Sequence, residues 1–302
     1  MNKQIWKKKG LIISPPNTHW GKTHCMIPTP TKISDNKYRI FFGTRNKKNQ
    51  SSISYADITF DKFGVKNIYC SKNKSFSPGK LGHFDDNGVL PSSIIKIKNT
   101  YFMYYIGWQP RVTTRYSLIA GLSFSKNGKK FKRYSKSPIL VNNSKEPISI
   151  LTAPCVVKIK NKYFMWYVSG IKWKSKNYPL YDIKLATSEN GLNWIQTKKT
   201  CLKLKKNERA LARPFVIYER NKFCMWYSYE KKVGSYKIGY AESKNGLKWK
   251  RLDKNIDLNS SSKYEIKMRE YPSIISVGDK KYIFYNGDDY GKKGILLAEL
   301  QR

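Results

Sequence analysis

One unit recurs five times along this chain, and no other feature limits the fold as much. Each copy is a proline, a β-branched run, a short polar turn and then an aromatic strand. The copies run from Pro91 to Tyr105, Pro154 to Tyr167, Pro214 to Tyr227 and Pro272 to Tyr285, with a degenerate first copy from Pro30 to Phe42. Successive prolines are 61, 63, 60 and 58 residues apart. A second hairpin follows in three units, with Asn-Gly at Asn127-Gly128, Asn190-Gly191 and Asn245-Gly246 between alternating apolar residues. Such dipeptides favour a type I′ turn, in which both central residues take positive φ. Four strands in about 60 residues, with almost no helical periodicity, describe an all-β chain folded as one five-bladed β-propeller of four antiparallel strands per blade.

The expected blades span residues 20–70, 83–136, 146–198, 208–253 and 265–302, the last completed by residues 1–13. The final unit stops after its third strand, whereas the chain begins with Ile5-Trp6-Lys7-Lys8, which matches Trp249-Lys250-Arg251 and Trp194-Ile195-Gln196. The N-terminal segment is therefore expected to add the fourth strand of the last blade and cover its open edge.

Charge says less than its size suggests. Lys+Arg 59 against Asp+Glu 20 gives a formal net charge of +39. The lysines are scattered from Lys3 to Lys293, many beside Asn-Gly turns, so they read as a solvated basic surface and no nucleic-acid partner is expected. No apolar run approaches the roughly 18 residues of a membrane-spanning helix. The first residues show neither an apolar core nor a cleavage site of a secretory signal. Five cysteines without CxxC spacing argue against a disulfide framework or a cysteine zinc site. A cytoplasmic location is the expectation.

In a propeller the inner strands all start at one end of the axial channel, so the residues before the inner-strand prolines define a face. Acidic residues are scarce, yet four units place one there: Asp85 and Asp86, Glu146, Glu208, and Glu265 with Glu270. The first unit has His24 instead. The loops joining strands two and three add Arg45, Trp108, Arg115, Trp173, Asn286 and Asp288, while Arg213 and Arg269 lie just before prolines. Aromatic faces beside arginine and carboxylate suit a sugar, with its apolar C–H faces and rim of hydroxyls. Trp166, Trp194, Trp226 and Trp249 read as packing between blades. No cofactor is expected, and Ca²⁺ is the metal that a carboxylate-rich mouth would suit.

The repeat, the Ser-x-Asn-Gly-x-x-Trp hairpins and the segment from Gly82 to Ser92 resemble the five-bladed propeller glycosidases of glycoside hydrolase families 43 and 62, 32 and 68, and 130. The chain is most similar to the family 32 N-terminal-like propellers of bacterial polysaccharide gene clusters. That resemblance implies a base or nucleophile, a second carboxylate that tunes pKa or holds substrate, and a glutamic general acid. By position Asp85 or Asp86 matches the second-blade aspartate and Glu146 the third-blade glutamate. Glu208 and His24 complete the catalytic candidates, and Arg45, Trp108, Arg115, Trp173, Arg213, Arg269, Glu270, Asn286 and Asp288 the substrate-binding ones. The first blade has no acidic residue at the position where families 43 and 32 place theirs. The expected function is thus a glycoside hydrolase-like enzyme using carboxylate acid–base chemistry. Two alternatives stay open: a non-catalytic carbohydrate-binding or polysaccharide-assembly propeller, and a glycoside phosphorylase or glycosyl transferase. A platform for acidic partners is a third, carried by charge alone.

Overall fold

The computed structural model describes residues 3–258 and 262–301; Met1, Asn2, residues 259–261 and Arg302, all inside the expected blade spans or between them, lie outside the described residues. Five antiparallel sheets follow one another around an axis. Blade one holds Thr23–Ser34, Lys37–Arg45, Ser51–Asp61 and Gly64–Cys70. Blade two holds Gly88–Ile97, Thr100–Pro110, Tyr116–Ser125 and Lys132–Arg133. Blade three holds Ile150–Ile159, Lys162–Ser175, Tyr178–Ser188 and Ile195–Leu202. Blade four holds Ala210–Glu219, Lys222–Glu230, Lys237–Ser243 and Lys250–Arg251. Blade five holds Glu270–Val277, Lys280–Asn286, Ile295–Leu300 and, outermost, Gln4–Ile13. The inner strands touch in cyclic order, the fifth returning to the first.

The ring closes as the sequence implies. Gln4–Ile13 pairs antiparallel with Ile295–Leu300, from Trp6 opposite Leu300 to Ile13 opposite Ile295. Trp6 is buried in the core shared with Trp226, Tyr240 and Tyr285. Apolar burial is distributed between neighbouring blades: Tyr105 packs with Phe41, Tyr167 with Tyr104, Tyr227 with Trp166 and Tyr285 with Trp226. Along the aromatic strand, alternate side chains face alternate neighbours, because a strand projects successive residues to opposite faces. Residues facing the next blade also bond to it. The Tyr104 hydroxyl donates to the Gly191 carbonyl, Trp166 Nε1 to the Gly246 carbonyl and Trp226 Nε1 to Gln4 Oε1.

The Asn-Gly turns differ from the expected type I′ geometry. Gly128, Gly191 and Gly246 have φ of 61°, 74° and 73°, but the preceding asparagines are not left-handed. Instead each asparagine carboxamide accepts from two following backbone amides, as Asn190 Oδ1 does from Leu192 and Asn193 at 2.8 and 2.9 Å. The serine two residues before each asparagine caps the glycine amide at 2.9–3.0 Å. Side-chain capping, an alternative to backbone pairing open to Ser and Asn, replaces one of the two left-handed residues.

The inner strands break register at their prolines. In blades one, three, four and five the interruption spans Ile27-Pro28, Ala153-Pro154, Arg213-Pro214 and Tyr271-Pro272. The residue before proline is left-handed in all four, with φ of 58°, 49°, 48° and 54°. Pro28, rather than Pro30, is thus the first blade's equivalent. Blade two carries a single extra residue, Ser92. Bulges of this kind re-aim a side chain out of the pleat, and here they turn it toward the axis.

Replacing Trp6 by alanine should cost about 3–5 kcal/mol, as for other large core aromatics, and deleting residues 1–9 should cost more. Urea denaturation measures both. A deletion that leaves the midpoint unchanged would contradict closure by this strand.

Candidate functional site: an axial cavity lined by arginine and tyrosine

The axial cavity has a volume of about 450 Å³, within the usual range of small-molecule sites. All five inner strands contribute, including each residue turned inward by a bulge: Ile27, Ala153, Arg213 and Tyr271, with Leu90 from blade two. Its polar lining is mainly Arg45, Arg115, Arg209 and Arg213 with Tyr116, Tyr181, Tyr236, Tyr271 and Tyr290. Trp108 is held at the wall by its Nε1–H, which donates to Ser51 Oγ at 2.9 Å. Gly88 makes room for that contact, since a Cβ there would lie 2.1 Å from Trp108 Nε1 and 2.2 Å from Ser51 Oγ.

None of the lining residues is acidic. The carboxylates before the inner-strand prolines are spent inside their blades. Asp85 accepts from the Tyr105 hydroxyl at 2.9 Å and from Arg133 Nε and Nη2 at 2.9 and 2.7 Å. Glu146 accepts from Tyr167 at 2.9 Å, Ser169 at 2.8 Å and Gln196 at 2.9 Å. Burial alone would raise the Glu146 pKa, but the Ser169 and Tyr167 hydrogen bonds and the Lys184 ammonium hold it below the ordinary value. Glu208 takes a bidentate pair from Arg251 at 2.8 and 2.9 Å; Tyr227 bonds the adjacent Asp253 instead. Glu265 pairs with Lys8 and Arg269.

The pattern is one motif repeated. A carboxylate ahead of the inner strand meets the tyrosine that closes the aromatic run of the second strand, or its immediate neighbourhood, and a donor from the outer strand. That donor stands two residues after the outer-strand aromatic: Phe131 and Arg133, Trp194 and Gln196, Trp249 and Arg251, Trp6 and Lys8. Blade one has Phe42 at the tyrosine position and no acidic residue ahead of Pro28. Donor and acceptor are missing together there, which accounts physically for its departure from the other blades.

Of the residues singled out from sequence, Arg45, Trp108, Arg115 and Arg213 line the cavity; Asp85, Asp86, Glu146, Glu208 and His24 do not. Asp86 sits nearby, accepting from Gln109 Nε2 at 3.2 Å and from the Gly82 amide at 2.9 Å. His24 is neutral at physiological pH, its pKa pushed down to about 4 by burial and by the Arg45 and Lys292 charges. Trp173 packs edge-on against Tyr116 behind the lining, with ring centroids 5.4 Å apart. Arg269 is taken up by Glu265. Asn286 ties blade five to blade one by accepting from the Ile27 amide at 2.9 Å and donating to the Cys25 carbonyl at 2.7 Å. Asp288 anchors a loop through the amides of Ile266, Lys267 and Met268 at 2.8–2.9 Å. Among the described residues no three His, Cys, Asp or Glu side chains form a metal-binding group.

Sequence reasoning missed Arg209 and the tyrosines. Tyr271 stands immediately before Pro272, just as Arg213 stands before Pro214, so the bulge position itself was a visible signal. Tyr181 and Tyr236 were not marked by any motif; their hydroxyls share a 2.6 Å hydrogen bond across two blades. Behind them Arg209 forms an ion pair with Glu230. Glu270 occupies the next position beneath Tyr271, with no exposed surface and neither carboxyl oxygen hydrogen-bonded. Burial, reinforced by the Glu230 charge, raises its pKa well above the ordinary value and so favours the protonated form.

This is a five-bladed propeller, and solved glycoside hydrolases share its fold. It superposes on a glycoside hydrolase with TM-score 0.75 at 16% identity, covering 100% of this chain and 93% of that one. A structure described as showing that the family 130 mannoside phosphorylases contain glycoside hydrolases targeting β-1,2 mannosidic linkages in Candida mannan gives TM-score 0.74 at 16% identity, over 98% and 94%. The Bombyx mori family 32 β-fructofuranosidase BmSUC1 gives 0.64 at 13% identity, over 94% and 63%. No protein-family model matches the chain. In sequence it is 30% identical over 301 residues to the uncharacterized protein Rv1502 of Mycobacterium tuberculosis, covering 98% of this chain and 99% of that protein, and it belongs to the same family. No helix among the described residues is long and apolar enough to cross a membrane.

Two expectations follow for the carboxylates. Asp85→Asn leaves Arg133 without its counter-charge and should cost about 3 kcal/mol, whereas Tyr105→Phe should cost about 1 kcal/mol; the double variant should cost less than the sum, as read from urea midpoints. For Glu270, a folded-state pKa above the unfolded value means that the native state binds the extra proton. Its contribution therefore weakens stability progressively as pH rises above about 4.5, the ordinary glutamate value. Glu270→Gln should flatten that decline, measured by melting temperature from pH 5 to 9.

Proposed function

We propose that this chain binds carbohydrate in its axial cavity. The observation that carries the reading is the lining itself: a Trp108 face, five tyrosines and a set of guanidinium donors converge on one concave site at the centre of a propeller. Aromatic faces meet the C–H faces of a pyranose, and the donors meet its hydroxyls. The fold shared with glycoside hydrolases and phosphorylases supports a glycan as the ligand class. Binding without hydrolysis is favoured because glycoside cleavage ordinarily needs two carboxyl groups across the scissile bond, and the walls supply none.

A second reading, a glycosidase or phosphorylase, is favoured by one feature. Glu270 is a fully buried carboxyl next to Tyr271 in the chain, and burial and the Glu230 charge raise its pKa well above the ordinary value. A raised carboxyl pKa is what a general acid needs. In that reading Glu270 protonates the leaving oxygen after the floor rearranges, and Glu230, released from Arg209, serves as the base.

Saturation-transfer NMR against a panel of monosaccharides and short glycans tests the first reading. Saturable binding is expected, and Trp108→Ala should weaken it at least about tenfold, a change worth about 1.4 kcal/mol. Failure to bind any sugar would remove the proposal. Turnover of aryl glycosides that drops about 10²-fold in Glu270→Gln, the scale of a general acid, would establish the second reading in its place.

A further inference from the structure

We infer that the cavity selects a sugar carrying an oxyanion, either a carboxylate or a phosphate ester. This rests on the carbohydrate reading above and adds the ligand's charge. Arg45, Lys48, Arg115, Arg209 and Arg213 are the charged residues of the lining, all of one sign. Arginine ion pairs among the described residues belong to Arg39, Arg133, Arg209, Arg251 and Arg269. Three cavity arginines, Arg45, Arg115 and Arg213, therefore face the site with no carboxylate partner there.

The basic composition does not account for this. With 59 cationic against 20 anionic side chains, most lysines must lack a partner, but in water that costs almost nothing. Arg213 is different, since it is only 1% exposed. Its guanidinium donates to the Pro214 and Pro28 carbonyls at 3.2 and 3.3 Å and to Thr29 Oγ1 at 3.2 Å. Neutral dipoles thus receive it, and no countercharge does. Burial pushes its pKa down to about 10, and no carboxylate lies close enough to oppose that shift. The Nε–H groups of Arg45, Arg209 and Arg213 are buried without any acceptor. Leaving buried donors unmet is costly, and leaving a buried cation unneutralised is more so. An oxyanion meets both needs, because planar guanidinium forks match carboxylate and phosphate oxygens. The nearest acids do not compete: Glu230 is bound by Arg209, and Glu270 has no exposed surface and does not line the cavity.

A bare anion would not use the rest of the wall. Ile27, Leu90, Ile106 and Trp108 supply apolar surface beside the arginines, which suits a sugar ring bearing the charge.

Calorimetry on the full chain at fixed ionic strength tests this with six probes: glucuronate, galacturonate, glucose 6-phosphate, the neutral hexoses glucose and galactose, and inorganic phosphate. At least one sugar anion should bind about tenfold or more tightly than its neutral counterpart. The preferred acid, uronate or phosphate ester, then identifies the source of the oxyanion. Arg115→Ala, at an exposed position, should reduce that preference toward one while leaving the melting temperature unchanged. Arg45→Ala should do the same from a half-buried one. Should a variant fold poorly, thermal shift of the wild-type chain at equal ligand concentrations gives the same comparison, since a ligand that binds only the native state stabilises it more the larger its concentration is relative to its Kd. Equal affinity for neutral and acidic sugars overturns the inference and leaves carbohydrate binding intact. Inorganic phosphate binding as tightly as the sugar phosphate overturns it too, by removing the sugar. No binding by any sugar overturns both readings.

Discussion

A buried carboxylate held between a tyrosine hydroxyl and an outer-strand donor is the contact on which this propeller depends. In blades two and three it joins three parts of one sheet: the segment leading to the inner strand, the middle of the aromatic strand and the outermost strand. Blades four and five vary the donors and keep the plan. Outer strands as short as Lys132–Arg133 and Lys250–Arg251 have little pairing of their own, so a charge-assisted bond to the blade interior holds them where two ladder residues would not. In blade five the same contact fastens the N-terminal strand, so ring closure and blade integrity share one chemistry.

That use of acid determines the character of the axis. Only 20 acidic residues exist in the chain, and those nearest the inner strands are turned into the blades. The side chains aimed at the channel are the ones released by the proline bulges, and they are apolar, aromatic or arginine. The axial channel therefore carries the opposite electrostatic sign from the carboxylate mouth that the residue order suggests. Glu230 and Glu270 remain as the acids behind the wall, one paired with Arg209 and one buried without a hydrogen-bond partner for its carboxyl oxygens.

The fold was legible because its signals are local. The proline period, the aromatic strands and the Asn-Gly turns each specify a strand or a bend within a dozen residues, and Trp6 matched Trp194 and Trp249 closely enough to assign the closing strand. The cavity was half legible. Arg45 and Trp108 lie in the last residues of the second strands of their blades, Arg115 just before the third strand of blade two and Arg213 at a bulge, where position alone indicates the axis; the sequence had put Arg45 and Trp108 in loops. The carboxylates were misleading because order along the chain gives a residue's height in the blade and not its direction. Direction was set by a partner some 43 to 50 residues away, as for Glu208 with Arg251 or Glu146 with Gln196. The aromatic-x-donor pattern of the outer strands held that information. Tyr181 and Tyr236 had no such mark, since only the tertiary arrangement brings their hydroxyls together.

Arg213 has one further consequence. Its guanidinium starts on blade four and bonds to the inner strand of blade one, two blades that are not neighbours in the ring, so the side chain spans the hole in the middle like a crossbar. Two opposite sides of the ring are thereby held by one guanidinium, and the inner strands of blades one and four are braced against each other across the axis.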